Sequence, residues 1–205
     1  MNILSQILKD SSYRLTQFNE SKVKVLEDKI TSKENKSGKQ DFYTTCLVRK
    51  KEIKLTPEEI IRQLYIMVLN QDFEYPLDRM KIEYGINHGR EVKRADLVIV
   101  DKEKSDVAYI IVEVKKPKLK DGKEQLKSYC NFSGAPMGVW TNGESISFYN
   151  RRDPNYFKDI PSIPKSNQKL TDILTERWKI EDLVKNDKLT HEKKIFKRTY
   201  FRDGR

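Results

Sequence analysis

The sequence predicts an α/β fold in which a central mixed β-sheet is flanked by helices. Three observations carry this prediction: a strong helix start at Thr56, three strand-like segments between residues 79 and 115, and a second helical segment at residues 121–132. Two further strands follow the second helix. The order helix, three strands, helix, two strands favours one sheet with helices packed on it.

The first part of the chain, residues 1–41, has weak signals and is predicted to be an N-terminal extension. Within it, residues 2–9 suit a short helix and residues 31–40 (TSKENKSGKQ) suit a polar loop. A strand at residues 42–48 (FYTTCLV) is expected to open a core domain that spans residues 42–150.

The next helix has the clearest start signal in the chain. Thr56 suits the N-cap, Pro57 the first turn and Glu59 the third position of a capping box. Apolar residues then recur with a period of 3.6, as expected of a helix that covers a core: Ile60, Ile61, Leu64, Met67 and Val68.

Three strands are predicted next, at residues 79–86, 93–101 and 107–115. Pro117 ends the last of them because proline cannot donate to a β-ladder. After the helix at residues 121–132, two strands form a hairpin.

An Asn142–Gly143 turn joins the two strands of this hairpin. The C-terminal region, residues 151–205, is predicted to contain a proline-rich loop, a helix at residues 170–184 and a basic tail.

Composition limits the classes of function. A net charge of +10 and a pI near 9.4 indicate a polyanionic partner, nucleic acid first and an anionic membrane second. No apolar run is long enough to span a membrane, and the first ten residues are too polar for a signal peptide. Two cysteines indicate a reducing cytoplasm, and two histidines argue against a histidine-rich zinc site, so any metal would be held by oxygen ligands.

A candidate metal site follows from the pairing of the last two of the three strands. A short loop joins them, which favours an antiparallel pair, and a register centred on that loop places Asp96 opposite Glu113. Two facing carboxylates on buried strands repel each other unless a cation lies between them. Mg²⁺ prefers such oxygen ligands. Lys115, on the same face as Glu113, would hold or activate a water for phosphodiester hydrolysis.

The same residues have a simpler explanation. Glu113 and Lys115 would then be solvated charges at the end of an edge strand, where such residues protect against aggregation. Asp96 favours a site instead, because it directly precedes an apolar run. So does the following helix, on which Gln125 and Tyr129 lie one turn apart; their alternative is an ordinary polar helix face.

Three other residues are weaker candidates. Glu83, on the neighbouring strand, is the best fourth acid and a further candidate metal ligand. Glu59 would reach the site from its helix, although its position in the capping box explains it as well. Arg94 shares a face with Asp96 and would either contact phosphate or pair with a carboxylate.

The segments RADLVIV, IIVEVKKP and EQLKSY follow one another in this order, and together they resemble the PD-(D/E)xK nuclease superfamily. With TPEEIIRQL ahead of them, they are similar to the N-terminal nuclease domain of type I restriction enzyme R subunits. The resemblance covers roughly residues 42–150 and implies a restriction-endonuclease-like core. Ala95 stands where the superfamily name has proline, a position that is not a metal ligand.

The resemblance implies roles for five residues. Asp96 and Glu113 would be metal ligands and Lys115 the catalytic lysine. Gln125 and Tyr129 would be the helix motif of the family.

The expected function is that of a Mg²⁺-dependent endonuclease domain, with Mn²⁺ as a substitute, that cuts DNA for a restriction–modification system without reading its sequence. Arg94, Lys116, Lys118 and Lys120 are expected to contact the DNA backbone. The alternatives are a non-catalytic DNA-binding or assembly module on the same fold, and a nuclease acting on RNA.

The expected partners are DNA, a helicase or translocase motor, and the modification and specificity subunits of such a system. The sequence contains no G-x-x-x-x-G-K-[ST] pattern. We therefore expect the motor to lie outside these 205 residues, in a longer chain or in a separate protein.

Overall fold

The computed structural model describes residues 2–88, 91–115, 122–153 and 155–175. The helices of these ranges are α1 (Ile3–Leu8), α2 (Glu20–Glu27), α3 (Pro57–Gln71), α4 (Gly122–Ser133) and α5 (Leu170–Thr175), with a 3₁₀ turn at Leu77–Arg79. The strands are β1 (Thr31–Glu34), β2 (Gln40–Thr45), β3 (Glu52–Lys54), β4 (Met80–His88), β5 (Glu91–Val100), β6 (Ala108–Val114), β7 (Met137–Thr141), β8 (Ile146–Arg152) and β9 (Tyr156–Ile160).

The N-terminal region is more ordered than the sequence predicted. Helix α1 confirms the short helix at residues 2–9, and the Asn2 side chain caps it by accepting a hydrogen bond from the Ser5 amide (2.8 Å). Helix α2 was not predicted, although Asn19 caps it in the same way through the Ser21 amide.

A small antiparallel sheet of β1, β2 and β3 follows. Strand β2 confirms a strand in the predicted region, but the polar loop predicted at residues 31–40 is wrong, because β1 occupies its first part and pairs with β2. All four residues of β1 are exposed, so the strand has no apolar alternation that a sequence pattern could show. Strand β3 also went unpredicted.

Helix α3 begins as predicted. Thr56 is the N-cap, and its hydroxyl accepts a hydrogen bond from the Glu59 amide (3.2 Å). The apolar face that the sequence predicted is buried along the helix. The Glu59 carboxylate, however, accepts hydrogen bonds from Arg62 and Gln63, so the capping box does not fully explain this residue.

The central sheet has six strands in the order β4-β5-β6-β7-β8-β9. Strands β6 and β7 pair in parallel and the other neighbours pair antiparallel, so the sheet is mixed. Helix α4 makes the crossover between the two parallel strands, as such a connection requires. The predicted order of elements and the mixed α/β class are confirmed.

The predicted register of β5 and β6 is also confirmed. Leu97 faces Val112 and Ile99 faces Ile110, with an irregularity only after Ile99. The next pair outward in this register would be Asp96 and Glu113.

Both faces of the central strands are buried. Val98 and Ile111 belong to the core cluster that packs against Leu126 and Cys130 of α4. The alternate residues of β5 and β6 are equally inaccessible. Helix α3 also contacts β6, although less extensively than α4. A strand covered on both faces has no solvated side on which to place a charge.

The C-terminal part of the sheet differs from the prediction. The Asn142–Gly143 turn is confirmed, with Gly143 at a φ of +85°. The loop predicted from residue 151 is wrong, because β8 continues to Arg152 and β9 adds an edge strand. The β9 residues are mostly exposed, so the strand shows little hydrophobic pattern.

The chain divides into two units, residues 1–167 and residues 168–205. Helix α5 confirms the start of the helix predicted at residues 170–184, and the rest of that prediction, like the basic tail, lies outside the described residues. The predicted domain limits at residues 42 and 150 stay predictions. No helix in the described ranges is long and apolar enough to cross a membrane.

Candidate functional site

The candidate site lies where the β5–β6 ladder ends. Leu97 and Val112 are the last paired residues on this side. One step further, the amide of Val114 donates to Oδ2 of Asp96 (2.8 Å) instead of to a backbone carbonyl of β5. The Asp96 side chain thus replaces a backbone carbonyl of β5 as the acceptor, and this hydrogen bond holds it close to β6.

Glu113 is the most buried charged residue in the described part of the chain, with 0% of its surface exposed. Its Oε1 lies 3.7 Å from Nζ of Lys115 and accepts a hydrogen bond from Nε2 of Gln125 (3.4 Å). Its Oε2 is buried and has no hydrogen-bond partner. A carboxylate oxygen in this state is costly, because it has lost its water without gaining a donor.

The surroundings of Glu113 favour its protonated form. Burial first, and the nearby Asp96 second, raise the pKa of Glu113 from 4.5 to about 9, whereas Lys115 lowers it. A cation bound at Oε2 would remove this penalty and displace the proton.

Arg62 connects α3 to the site. Its Nη2 donates to Oε1 of Glu58 (2.9 Å) and to Oδ1 of Asp96 (3.0 Å), and its Nη1 donates to Oε2 of Glu59. The guanidinium is buried, and Glu58 and Glu59 lie in the first turn of α3, where the helix dipole favours negative charge. Arg62 therefore holds the start of α3 against the end of β5.

The charges of this cluster do not balance. Four carboxylates (Glu58, Glu59, Asp96 and Glu113) meet two cations (Arg62 and Lys115), which leaves a formal charge of −2 when every group is ionised. Burial and then Asp96 raise the pKa of Glu58, which shows that the excess of negative charge acts at that carboxylate too.

The donor set fits an oxygen-liganded divalent cation with few protein ligands. In the described ranges, no three His, Cys, Asp or Glu side chains lie close enough to form a metal site by themselves. Mg²⁺ does not require this, since it commonly binds one or two carboxylates and keeps several waters. Asp96 and Glu113 are the two that adjoin on neighbouring strands.

Helix α4 also contributes residues to the site. Nε2 of Gln125 donates to the Tyr129 hydroxyl (2.5 Å) as well as to Glu113, so the two residues predicted on one helix face do meet each other and the site. Tyr129 is buried, and burial raises its pKa, which keeps the hydroxyl neutral. The pair supports the Glu113 carboxylate from the side.

Trp140 on β7 is the partner of Glu113 in the parallel register. A Cβ on Gly122 would lie 2.7 Å from the indole Nε1 and 2.5 Å from Cγ of Lys115. Only glycine therefore allows the start of α4 to approach β6 and β7 this closely.

Two predicted residues lie apart from this arrangement. Glu83 is exposed, has a φ of +51°, and pairs with Arg49 (2.8 Å), whose hydrogen bond lowers its pKa. Arg94 is exposed on β5, opposite Gly85. Lys116, Lys118 and Lys120 lie outside the described residues.

Sequence reasoning missed Arg62 and Glu58. A signal was present: Arg62 interrupts the apolar stripe of α3, three and four residues after two glutamates. A charged residue on a core-facing stripe, with acids one turn earlier, indicates a buried ion pair.

The fold and the site define an α/β domain in which a buried glutamate and a partly buried aspartate adjoin at the end of the β5–β6 ladder. A family model for the type I restriction enzyme R protein N terminus matches residues 57–164, more than half of the chain. The chain belongs to this family, and the family suggests a component of a restriction system. A comparison with curated proteins finds no match.

Proposed function

We propose that the chain is a Mg²⁺-dependent DNA endonuclease domain of a type I restriction system, with a PD-(D/E)xK site and a restriction-endonuclease-like core. The observation that carries the proposal is the unpartnered, buried Oε2 of Glu113 beside Asp96. The family supports a restriction system as the setting.

In this proposal Asp96 and Glu113 hold the cation. Arg62 and the Val114 amide orient Asp96, while Gln125 orients Glu113. When bound, Mg²⁺ would supply neutralisation of phosphoryl charge and a more acidic water. Mn²⁺, which accepts the same ligands, would replace it.

Lys115 is proposed to act on the nucleophile. Its ammonium group is partly exposed and lies 3.7 Å from the Glu113 carboxylate, so it can reach both the site and solvent. A fixed ammonium can orient a water towards the scissile phosphate and stabilise the negative charge that develops there.

The domain is proposed to act without sequence specificity of its own, with a translocase motor and the modification and specificity subunits as partners. Arg94 and the lysines at 116, 118 and 120 would contact the phosphate backbone, which carries no sequence information by itself. These partner assignments rest on the family alone.

Cleavage of supercoiled plasmid with and without Mg²⁺ tests the proposal. We expect Asp96→Asn to lose both cation binding and cleavage. Lys115→Ala should lose cleavage by at least a hundredfold and keep the cation, because this residue is not a ligand. Lys127→Ala, a control at an α4 lysine that pairs with Glu124, should behave as wild type.

The alternative is a non-catalytic DNA-binding or assembly module. It is favoured by one observation: Asp96 already forms an ion pair with Arg62, which offsets its charge without a metal ion. DNA binding without any divalent cation binding in the wild type would support that module and contradict the nuclease.

A further inference from the structure

Lys115 is fixed at its backbone where β6 ends. Its amide donates to the Thr141 carbonyl (3.0 Å), next to the last pair of the parallel β6–β7 ladder, Val114 with Thr141. A lysine has a long, flexible stem, so a fixed backbone alone does not determine where its ammonium group lies. The contacts of the stem therefore decide whether Nζ stays near Oε1 of Glu113, from which it lies 3.7 Å.

Gly122, the first residue of α4, borders this stem. A Cβ built on Gly122 would lie 2.5 Å from Cγ and 3.1 Å from Cβ of Lys115. The same Cβ would lie 2.7 Å from Nε1 of Trp140. Real Cβ atoms essentially never make contacts under 3.0 Å, so a residue larger than glycine at this position must displace the lysine stem or the indole.

The indole of Trp140 is the less movable of these two neighbours. Trp140 is buried, with 6% of its surface exposed, and it pairs with Glu113 in the parallel register. The ammonium group of Lys123 lies 5.2 Å from the ring centroid, within the range of a cation–π interaction. The indole Nε1 has no hydrogen-bond partner among the described residues, so the ring contributes packing here. The Lys115 side chain, by contrast, is 22% exposed and can turn towards solvent.

We propose that Gly122 and Trp140 are positioning residues for Lys115. The glycine leaves room for the lysine stem beside the indole, and together they direct the ammonium group towards Glu113. Neither residue would touch the substrate or the cation. The inference rests on the proposed function, because Lys115 is the residue proposed there to act on the nucleophile.

Gly122→Ala, in the full chain, tests this role by filling the space. Alanine favours a helix more than glycine does, so the change does not penalise α4 by itself. The new methyl group should turn the Lys115 stem out of the site, since the buried indole has less room to move. A misplacement of about 1 Å can cost roughly a hundredfold in rate, so plasmid cleavage should fall by roughly that factor. Mn²⁺ affinity, measured by electron paramagnetic resonance of free Mn²⁺, should stay at the wild-type value, because Lys115 is not a ligand.

A second measurement needs neither cation nor cleavage. Brief acetylation in EDTA, followed by peptide mass spectrometry, reports how accessible each lysine is to the reagent. Lys81, an exposed residue of β4, is the internal reference. Acetylation of Lys115 relative to Lys81 should be faster in Gly122→Ala than in wild type, because the displaced ammonium group leaves Glu113 for solvent.

Gly138→Ala is the matched control. A Cβ on Gly138 would lie 3.1 Å from Sγ of Cys130 and 3.1 Å from Cδ2 of Leu126, so this variant crowds the same helix at atoms other than those of Lys115. It should cost stability while leaving cleavage and the acetylation of Lys115 at the wild-type level.

Trp140→Phe provides a rescue. Phenylalanine is smaller and lacks the Nε1 atom that the new methyl group meets. It should restore room for the lysine stem, so the double variant should cleave faster than Gly122→Ala alone, whereas two independent changes would multiply their losses. Trp140→Phe alone removes one border of the stem and should also speed the acetylation of Lys115, which covers the case in which Gly122→Ala does not fold.

The outcomes distinguish this inference from the proposed function. Wild-type cleavage by Gly122→Ala, or unchanged acetylation of Lys115 in it, would make the positioning role wrong while the nuclease stands. An equal loss of cleavage in Gly138→Ala, or a double variant no faster than Gly122→Ala, would also overturn that role. If wild type cleaves no DNA and Gly122→Ala still speeds the acetylation of Lys115, the positioning of the side chain is supported and the proposed function is wrong.

Discussion

Replacing Glu113 by glutamine should make the metal-free protein more stable, and increasingly so as the pH rises. The folded pKa of Glu113 is about 9, above its ordinary value of 4.5. A group whose folded pKa is raised contributes stability that is fully present below its unfolded pKa and is lost as the pH rises towards the folded pKa. The window is therefore about pH 4.5 to pH 9.

Within this window the folded state holds one more proton than the unfolded state, so the free energy of unfolding should fall by about 1.4 kcal/mol per pH unit. At pH 7.5 the accumulated loss is roughly 4 kcal/mol. Glutamine is neutral at every pH and keeps a group that can meet Gln125. Glu113→Gln should recover up to this amount.

Urea unfolding in EDTA at pH 5.5, 6.5, 7.5 and 8.5 measures the effect as the difference between the two proteins, which cancels the titration of other groups. Glu124→Gln is the control, because Glu124 lies on α4 and its side chain is 75% exposed to solvent. Its difference from wild type should not change with pH. A Glu113→Gln difference that is constant from pH 5.5 to 8.5, or a loss of stability that grows with pH, would refute the reasoning. Adding Mg²⁺ should stabilise wild type and leave Glu113→Gln unchanged.

Two further predictions concern the cations of the site and of the surface. Arg62→Gln leaves Glu58, Glu59 and Asp96 without their shared buried partner. It should therefore lower the free energy of unfolding by about 3–5 kcal/mol in EDTA, and by less in Mg²⁺. An equal loss in both buffers would contradict a cation site. Affinity for duplex DNA should fall by about 0.9 log units per log unit of salt for each phosphate neutralised, and Arg94→Glu should weaken two unrelated 20-mers equally in fluorescence anisotropy. A loss confined to one duplex would indicate base readout.

The parts of the fold that local patterns dictate were predictable. Helix α3 has its cap, its first-turn acids and its apolar stripe in one continuous segment, and the β7–β8 turn has an Asn–Gly pair. Strands β1 and β9 were not predictable, since their residues are mostly exposed and the strands exist through pairing with a neighbour.

The candidate site divides in the same way. Glu113, Lys115, Gln125 and Tyr129 meet because strand and helix periodicities place them, and the register that brings Asp96 opposite Glu113 follows from a short loop. Glu58 joins the site through Arg62, which also binds Asp96, and this tertiary contact between α3 and β5 is one that no local period encodes.

The place where the ladder ends links these two kinds of residue. A paired strand end would direct the Val114 amide to a backbone carbonyl, and it would leave the Asp96 carboxylate without that donor. Because Asp96 accepts the hydrogen bond from this amide, its charge is held at the junction of β5, β6 and α3. Glu113 is buried beside it on the neighbouring strand. The carboxylates cannot move apart without losing the Val114 and Arg62 hydrogen bonds, so their repulsion is built into the fold and persists until a proton or a cation offsets it.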